Sequence, residues 1–215
     1  MMEGELHIRF FSDWHCGSGL GESHLADAVI CRDHDGIPIL PGRAVKGALR
    51  EGAWRLCALG EDYEQAASLI FGSVSHGGAV QQAGHVHVAS ARLPQDIRDY
   101  LRSLPHEDRT RQVSHMVSRR SRTALQDGMA HSGTLRTLEC GIPGLAFVGR
   151  LTFDLPETAA SWLLPYMAAV CAAVKSMGGD RARGLGRCSL RFLSPQGAAV
   201  PVPDLQQWRM VCTHS

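Results

Sequence analysis

The chain has 215 residues, 44% hydrophobic and 20% charged, with 22 basic against 21 acidic side chains. That length suits one domain, 1–215, with an elaboration, and the apolar share excludes an intrinsically disordered chain. A formal charge of +1 excludes a uniformly basic coat, so an anionic partner must be met by a local patch. Seven cysteines, at 16, 31, 57, 140, 171, 188 and 212, include no CxxC pair. A cysteine-only zinc knuckle is therefore excluded, and the thiols are expected as small apolar side chains in a reducing cytosol. The acidic start Met1-Met2-Glu3-Gly4-Glu5 does not read as a signal peptide, and the apolar stretch Trp162 to Val174 is too short to span a bilayer. A soluble, cytoplasmic protein is expected.

In chain order, alternation over Leu6 to Phe11 predicts a half-buried strand. A glycine-rich loop follows, Asp13 to Gly21. Ala28 to Asp33 reads as extended and enters the turn His34-Asp35-Gly36, whose Asp-Gly pair suits a hairpin. Pro38 confines Ile37 to Leu40 to an edge or strand end. Val45, Ala48, Leu49, Ala53 and Leu56 recur at steps of three and four, predicting a helix after Pro41-Gly42. Arg43, Lys46 and Arg50 share that spacing on another face. Glu61 to Leu69 reads as a further helical segment, Ser73 to Gly84 as loop, and His85 to Val88 as strand, its two histidine rings on one side and able to bind a metal. Residues 94–133 are polar, with arginines 109, 111, 119, 120 and 122 and no acid between Arg109 and Gln126. They are expected as an inserted, mobile lobe apart from the core. Leu145 to Phe153 returns to strand, and Glu157 to Ser176 to a helix with Leu163, Met167, Val170 and Val174 inward. A loop from Gly178 to Arg187 leads to a last strand, Cys188 to Phe192. Two helices among strands without a repeated βα period indicate an α+β fold on an antiparallel sheet, with a ferredoxin-like core as the natural candidate.

Two segments carry chemistry. A helix start after Pro41-Gly42 offers unpaired N–H groups to anions, and Arg43, Lys46 and Arg50 add a cationic stripe beside it. In Gly178-Gly179-Asp180-Arg181-Ala182-Arg183-Gly184-Leu185-Gly186-Arg187, glycines permit close backbone approach, and the forks of Arg181, Arg183 and Arg187 match phosphate oxygens. This loop is not GxxxxGK[ST], and it follows a helix rather than opening one, which excludes a P-loop and a dinucleotide fingerprint.

Asp27 to Arg50 runs Asp-Ala-Val-Ile-Cys-Arg-Asp-His-Asp-Gly-Ile-Pro-Ile-Leu-Pro-Gly-Arg-Ala-Val-Lys-Gly-Ala-Leu-Arg. It resembles the signature of the RAMP superfamily of CRISPR-associated proteins, which passes from a strand through a dG-P-hydrophobic-P-G stretch into s-h-K-G-x-h-R. Ile70-Phe71-Gly72-Ser73, Gly144-Leu145-Ala146-Phe147 before a strand and the arginine–glycine loop extend the likeness over about Gly4 to Leu193. Within the superfamily the chain looks like the backbone subunit of type III effector complexes.

That resemblance implies a ferredoxin-like (RRM-like) core with an inserted thumb. Copies would line up along a guide RNA (crRNA) beside other effector subunits and pair it with complementary target RNA. It further implies that Asp27, ahead of Ala28 to Asp33, cuts the target with a divalent metal, Mg2+. Arg43, Lys46, Arg50, Arg181, Arg183 and Arg187 would hold guide phosphates, and Arg119, Arg120 and Arg122 would belong to the thumb. Gly17, Gly19 and Gly184 complete the expected RNA contacts. Two alternatives are a structural RNA-binding subunit with an inert Asp27, and a guide-processing ribonuclease using histidine; His15, His24 and His34 flank Asp27 in sequence.

Overall fold

Apolar and polar residues alternate without a break from Met2 to Phe10, and every even-numbered residue of that strand is buried while every odd-numbered one is exposed. One face of the central sheet therefore meets the core and the other meets solvent. The computed structural model describes residues 1–17, 26–74, 80–123, 125–126, 129–130 and 136–205.

The elements are β1 (Met2–Phe10), β2 (Ile39–Leu40), α1 (Gly42–Leu56), α2 (Glu61–Phe71), β3 (Ser73–Val74), β4 (Val80–Gln82), β5 (Val86–Val88) and β6 (Ala91–Arg92). Then come α3 (Gln95–Ser103), α4 (His106–Ser114), β7 (Val117–Arg122), β8 (Leu125–Gln126), β9 (Met129–Ala130), β10 (Arg136–Gly141), β11 (Ala146–Phe153), α5 (Ala160–Ala173) and β12 (Cys188–Leu193). The main sheet is ordered β12-β1-β11-β6-β2, with β5 also on β11, and its pairings are antiparallel. With β5 and β6 as the second strand, the chain reads β1-α1-β5/β6-β11-α5-β12 in spatial order fourth, first, third, second. This is the ferredoxin-like arrangement, with α1 packed on α5 and α5 on β12.

The helix residues expected inward are inward: Val45, Ala48, Leu49, Ala53 and Leu56 on α1, and Leu163, Met167 and Val170 on α5 with Val174 just after it. At the end of β1, Phe10 stacks on Trp14 with ring centroids 4.9 Å apart, and Phe147 meets Trp14 edge-on at 5.3 Å. No described helix is long and apolar enough to cross a membrane.

Three local readings differ. Ala28 to Asp33 forms no strand, only isolated bridges, with Ala28 on Leu138, Ile30 on Gly17 and Arg32 on Pro38. The turn that follows is held by the Asp33 carboxylate, whose Oδ1 accepts the N–H groups of Asp35 and Ile37 at 3.0 Å. Ser73 to Gly84 includes the β3–β4 pairing rather than loop alone. Between β6 and β11 the chain forms two helices and a β7–β10 ribbon outside the main sheet. Leu101 of α3 and Val113 of α4 are buried in the core, so this segment is not wholly apart from it. Each helix contributes a single buried residue, although Ile97, Tyr100, Leu101 and Leu104 in and just after α3 recur at helical spacing.

Four of the six described cysteines, at 16, 140, 171 and 188, are buried, and none is in a disulfide. Burial pushes the Cys16 and Cys188 thiols up to about 12 and Cys140 to about 11, so all three stay protonated and unreactive at neutral pH.

Candidate nucleic-acid interface

The chain leaving β1 and the loop leaving α5 lie side by side. Gly179 N donates to the His15 carbonyl at 2.8 Å, Gly186 N to the Asp13 carbonyl at 2.7 Å, and Phe11 N to the Arg187 carbonyl at 2.8 Å. Gly186 has φ +76°, and a Cβ there would sit 2.0 Å from the Met177 carbonyl oxygen, so only glycine fits. Against these two loops rests the outer face of α1. The three segments enclose a cleft of about 480 Å³ lined by His15, Gly17, Gly47, Glu51, Gly179 and Arg181, among others. The two basic glycine segments, Pro41–Arg50 and Gly178–Arg187, far apart in sequence, thus share one surface.

β7 joins them from a third direction. Arg120 and Arg122, two residues apart and so on one side of the ribbon, reach back to the cleft loops. Arg120 Nε donates to Asp13 Oδ2 at 2.7 Å, and Arg122 pairs with Asp180. Asp180 has φ +53°, the one left-handed non-glycine residue among those described, a conformation that aspartate tolerates better than most residues. Arg181 pairs with Glu51 of α1, which also holds Arg55. The Arg181 guanidinium, with Arg55 beside it, keeps the Glu51 carboxyl below the usual range. Arg119, Arg183 and Arg187 are exposed and meet no carboxylate among the described residues.

Asp27 sits at the far end of the same ribbon. Its Oδ2 accepts the Thr137 N–H at 2.7 Å, and its Oδ1 lies 3.3 Å from Arg136. Chiefly the Thr137 N–H, then Arg136, holds its carboxyl below the ordinary aspartate value. Arg136 stands opposite Arg122 in the β7–β10 register. Asp27, Arg136, Arg122 and Asp180 therefore form a line from the expected catalytic position to the arginine loop, two facing arginines with an aspartate at each end. The Asp27 side chain is 44% exposed, open to a ligand.

The expected residues do not all meet. Lys46 donates to the Val86 carbonyl at 3.0 Å, and Arg50 lies in a groove against α2; neither lines the cleft, because both sit round the helix from Gly47 and Glu51. Gly184 is in open space with φ +85°, and its N–H returns to the Arg181 carbonyl, so it closes a turn of Arg181–Arg183. Gly17 has the His15 imidazole where a Cβ would stand, 2.7 Å from Nε2. Half of the loop's N–H groups, those of Gly179, Arg183, Gly184, Leu185 and Gly186, are spent on carbonyls within the protein. Ligand contact there falls to the arginine side chains rather than to the glycine backbone. Gly19 and His24 lie outside the described residues.

Sequence reasoning missed the acids that hold these arginines, Asp13, Glu51 and Asp180. It also missed Arg136 and the buried Glu139. Asp180 alone carried a local signal, an aspartate flanked by glycine and arginine. Glu139 accepts Arg32 through both oxygens, at 2.9 and 2.6 Å, together with the Ile30 N–H at 3.1 Å. Its carbonyl oxygen lies 2.7 Å from His15 Nδ1, so that nitrogen is the donor.

Among the described residues the one group of three metal-capable side chains is Asp33, His34 and Asp35, which does not include Asp27. Arg102 Nε donates to Asp35 at 2.8 Å, and Arg92 and Arg102 lie 3.9 and 3.8 Å from Asp33 Oδ2. Those guanidiniums already neutralise the cluster, which fixes the hairpin to α3 and β6. His85 Nδ1 lies 3.0 Å from the Asp154 carbonyl oxygen, and neither His85 nor His87 belongs to such a group.

The carboxylates in the cleft occupy guanidinium donors that phosphates would use. A Glu51→Gln variant frees Arg181 and removes a repelling charge, so it is expected to bind single-stranded RNA about three- to tenfold more tightly at low salt. Fluorescence anisotropy against wild type checks this; weaker binding by the variant would mean that Glu51 orients Arg181 usefully.

The sequence model of the RAMP superfamily matches residues 7–189. Among solved structures, a chain in the cryo-EM structure of the Type III-B Cmr-beta bound to cognate target RNA is similar with TM-score 0.68 and 13% identity, over 89% of this chain and 97% of that one. A chain of Type III-B Cmr-beta in its apo state gives TM-score 0.67, again with 13% identity and coverage of 89% and 97%. At such identity the likeness is one of fold. No curated protein matches.

Proposed function

The chain belongs to the RAMP superfamily, and from that premise we propose that it is a guide-RNA-binding backbone subunit of a type III CRISPR interference complex, working in the cytoplasm. The observation that carries this reading is the convergence of α1, the loop after β1, the arginine loop and β7 on one cleft. Arg181 lines it, and Arg120 and Arg122 of β7 pair with acids of the loops that form it, which gathers the guanidiniums that a phosphate backbone requires. The matched chains come from structures of a type III-B assembly, one bound to target RNA, which supports the same class of partner. Partners would be crRNA, complementary target RNA, other effector subunits and further copies of this chain. Residues 94–133 would act as the thumb, with Arg119, Arg120 and Arg122 on it.

Asp27 is the candidate for target-RNA cleavage. Its carboxylate is anionic at neutral pH, so it is a weak base and a good acceptor. It can accept the hydrogen bond of a 2′-OH and align that oxygen on the neighbouring phosphorus, while Arg136 faces the phosphate charge. An exposed single carboxylate also fits Mg2+, an ion that takes one or two carboxylates and fills its shell with phosphate and water oxygens. When bound, the ion would offset charge at the scissile phosphate.

A second reading, a structural subunit with an inert Asp27, draws on one observation: both Asp27 oxygens have partners inside the protein. Assembly with guide RNA, followed by complementary RNA and magnesium, separates the two. Cleavage at regular spacing supports the first reading, and an intact target supports the second. Cutting of guide precursor without metal would instead favour histidine chemistry.

A further inference from the structure

On the side of α1 turned away from the cleft, the cationic stripe ends in an aromatic surface. Trp54 is 63% exposed, the most exposed of the described tryptophans. The Arg50 guanidinium lies 5.3 Å from its ring centroid, a cation–π contact that holds one ring face and leaves the other to solvent. Arg50 Nε is buried and has no hydrogen-bond partner among the described residues. Buried donors seldom go unpaired, since desolvation is otherwise uncompensated. Beside them runs a groove of about 400 Å³ lined by Arg50, Trp54, Glu64, Ser68 and Ser73, among others, within the size range of ligand sites. Arg43 and Lys46 precede Arg50 along the same helix at steps of three and four.

We propose that Trp54 and Arg50 form a base-stacking site for single-stranded RNA, with one nucleobase on the free face of Trp54 and its phosphate at Arg50. A flat aromatic ring beside a cation is the usual platform for unpaired bases. The groove also supplies edge recognition. Glu64 lines it with carboxyl oxygens, and acceptors suit an exocyclic amino group. The site therefore favours the bases with an amino group, cytosine, adenine and guanine, over uracil, which has none. This rests on the RNA-binding reading above but concerns a different face of α1, and it assigns a base where the cleft assigns only phosphates.

The test uses the full chain and short oligomers of cytidine or uridine. Binding is followed by anisotropy of labelled RNA and by tryptophan emission. Wild type is expected to bind the cytidine oligomer with quenching of its emission and several-fold more tightly than the uridine oligomer. Trp54→Leu should lose most of the quenching and roughly tenfold in affinity, Trp54→Tyr should recover the affinity, and Glu64→Gln should narrow the base preference. Trp54 is exposed, so the leucine variant should keep the wild-type melting temperature. If the RNA binds wild type and Trp54→Leu equally, with the same change in emission, the stacking site is overturned while the cleft reading stands. If wild type binds neither oligomer, both are overturned.

Discussion

A Glu139→Ala variant is expected to unfold about 3–5 kcal/mol more readily than wild type. Glu139 is 9% exposed, and its carboxylate takes both arms of Arg32 and the Ile30 N–H. Removing it strands a guanidinium and a buried backbone donor, the costly half of any buried ion pair. The Arg32 side chain keeps 26% exposure, so part of its charge can be rehydrated and the effect should fall at the lower end. Glu139→Gln retains an acceptor and should cost less than half as much. Replacing both partners with methionine should recover most of the loss, because no charge is then left unpaired. Urea unfolding of the four proteins checks the series. Equal stability of wild type and Glu139→Ala would show that the pair is not a fastening of the ribbon to the loop beneath it.

The second large effect concerns Asp27. In the assembled complex, Asp27→Ala should slow target cleavage on the order of 10²–10⁴-fold while guide binding stays within a few-fold of wild type. Asn at 27 should cleave as poorly as Ala, since the charge is what acts. The pH dependence follows from the environment. The Thr137 N–H and Arg136 favour the ionised form and hold the carboxyl below the usual value of 3.8. The cleavage proposed for Asp27 should therefore persist above that range and be lost only as pH falls through the lowered pKa. Between pH 8 and 5 its protonation should leave the rate untouched. A rate that drops between pH 7 and 5 would show that a group other than Asp27, the 2′-OH nucleophile or a metal-bound water included, titrates in the reaction. Unchanged cleavage by Asp27→Ala would remove Asp27 from the chemistry and leave the structural reading.

Much of the frame can be read in the residues. The α1 pattern repeats over fifteen residues, long enough for period 3.6 to emerge, and β1 alternates along its whole length. The ferredoxin-like core is legible in the order of elements, two helices among strands with no repeated βα period, and the family likeness implies the same core. α3 and α4 escaped notice because 94–133 reads as a polar lobe, although Ile97, Tyr100, Leu101 and Leu104 recur at helical spacing; each helix buries one residue. Their start signals were nonetheless present: Pro94 and Pro105 stand just before them, with Asp96, Glu107 and Asp108 in the first turns. The site was legible in part. Its arginines announce themselves by composition, but the acids that hold them lie 58 to 130 residues away. No spacing rule reaches that far. Lys46 and Arg50 matched the cleft arginines in type and missed them in direction, since one step round a helix turns a side chain by about 100°.

The central claim, that the arginine loop contacts RNA phosphates, is tested most directly by the salt dependence of single-stranded RNA binding. Arg183 and Arg187 are exposed and meet no carboxylate among the described residues, so replacing both with alanine removes two phosphate-binding groups without disturbing an ion pair. The slope of log K against log salt should become shallower by about 0.7 for each arginine replaced, with affinity falling at every salt concentration. An unchanged slope and affinity would place the RNA elsewhere on the protein and contradict the account.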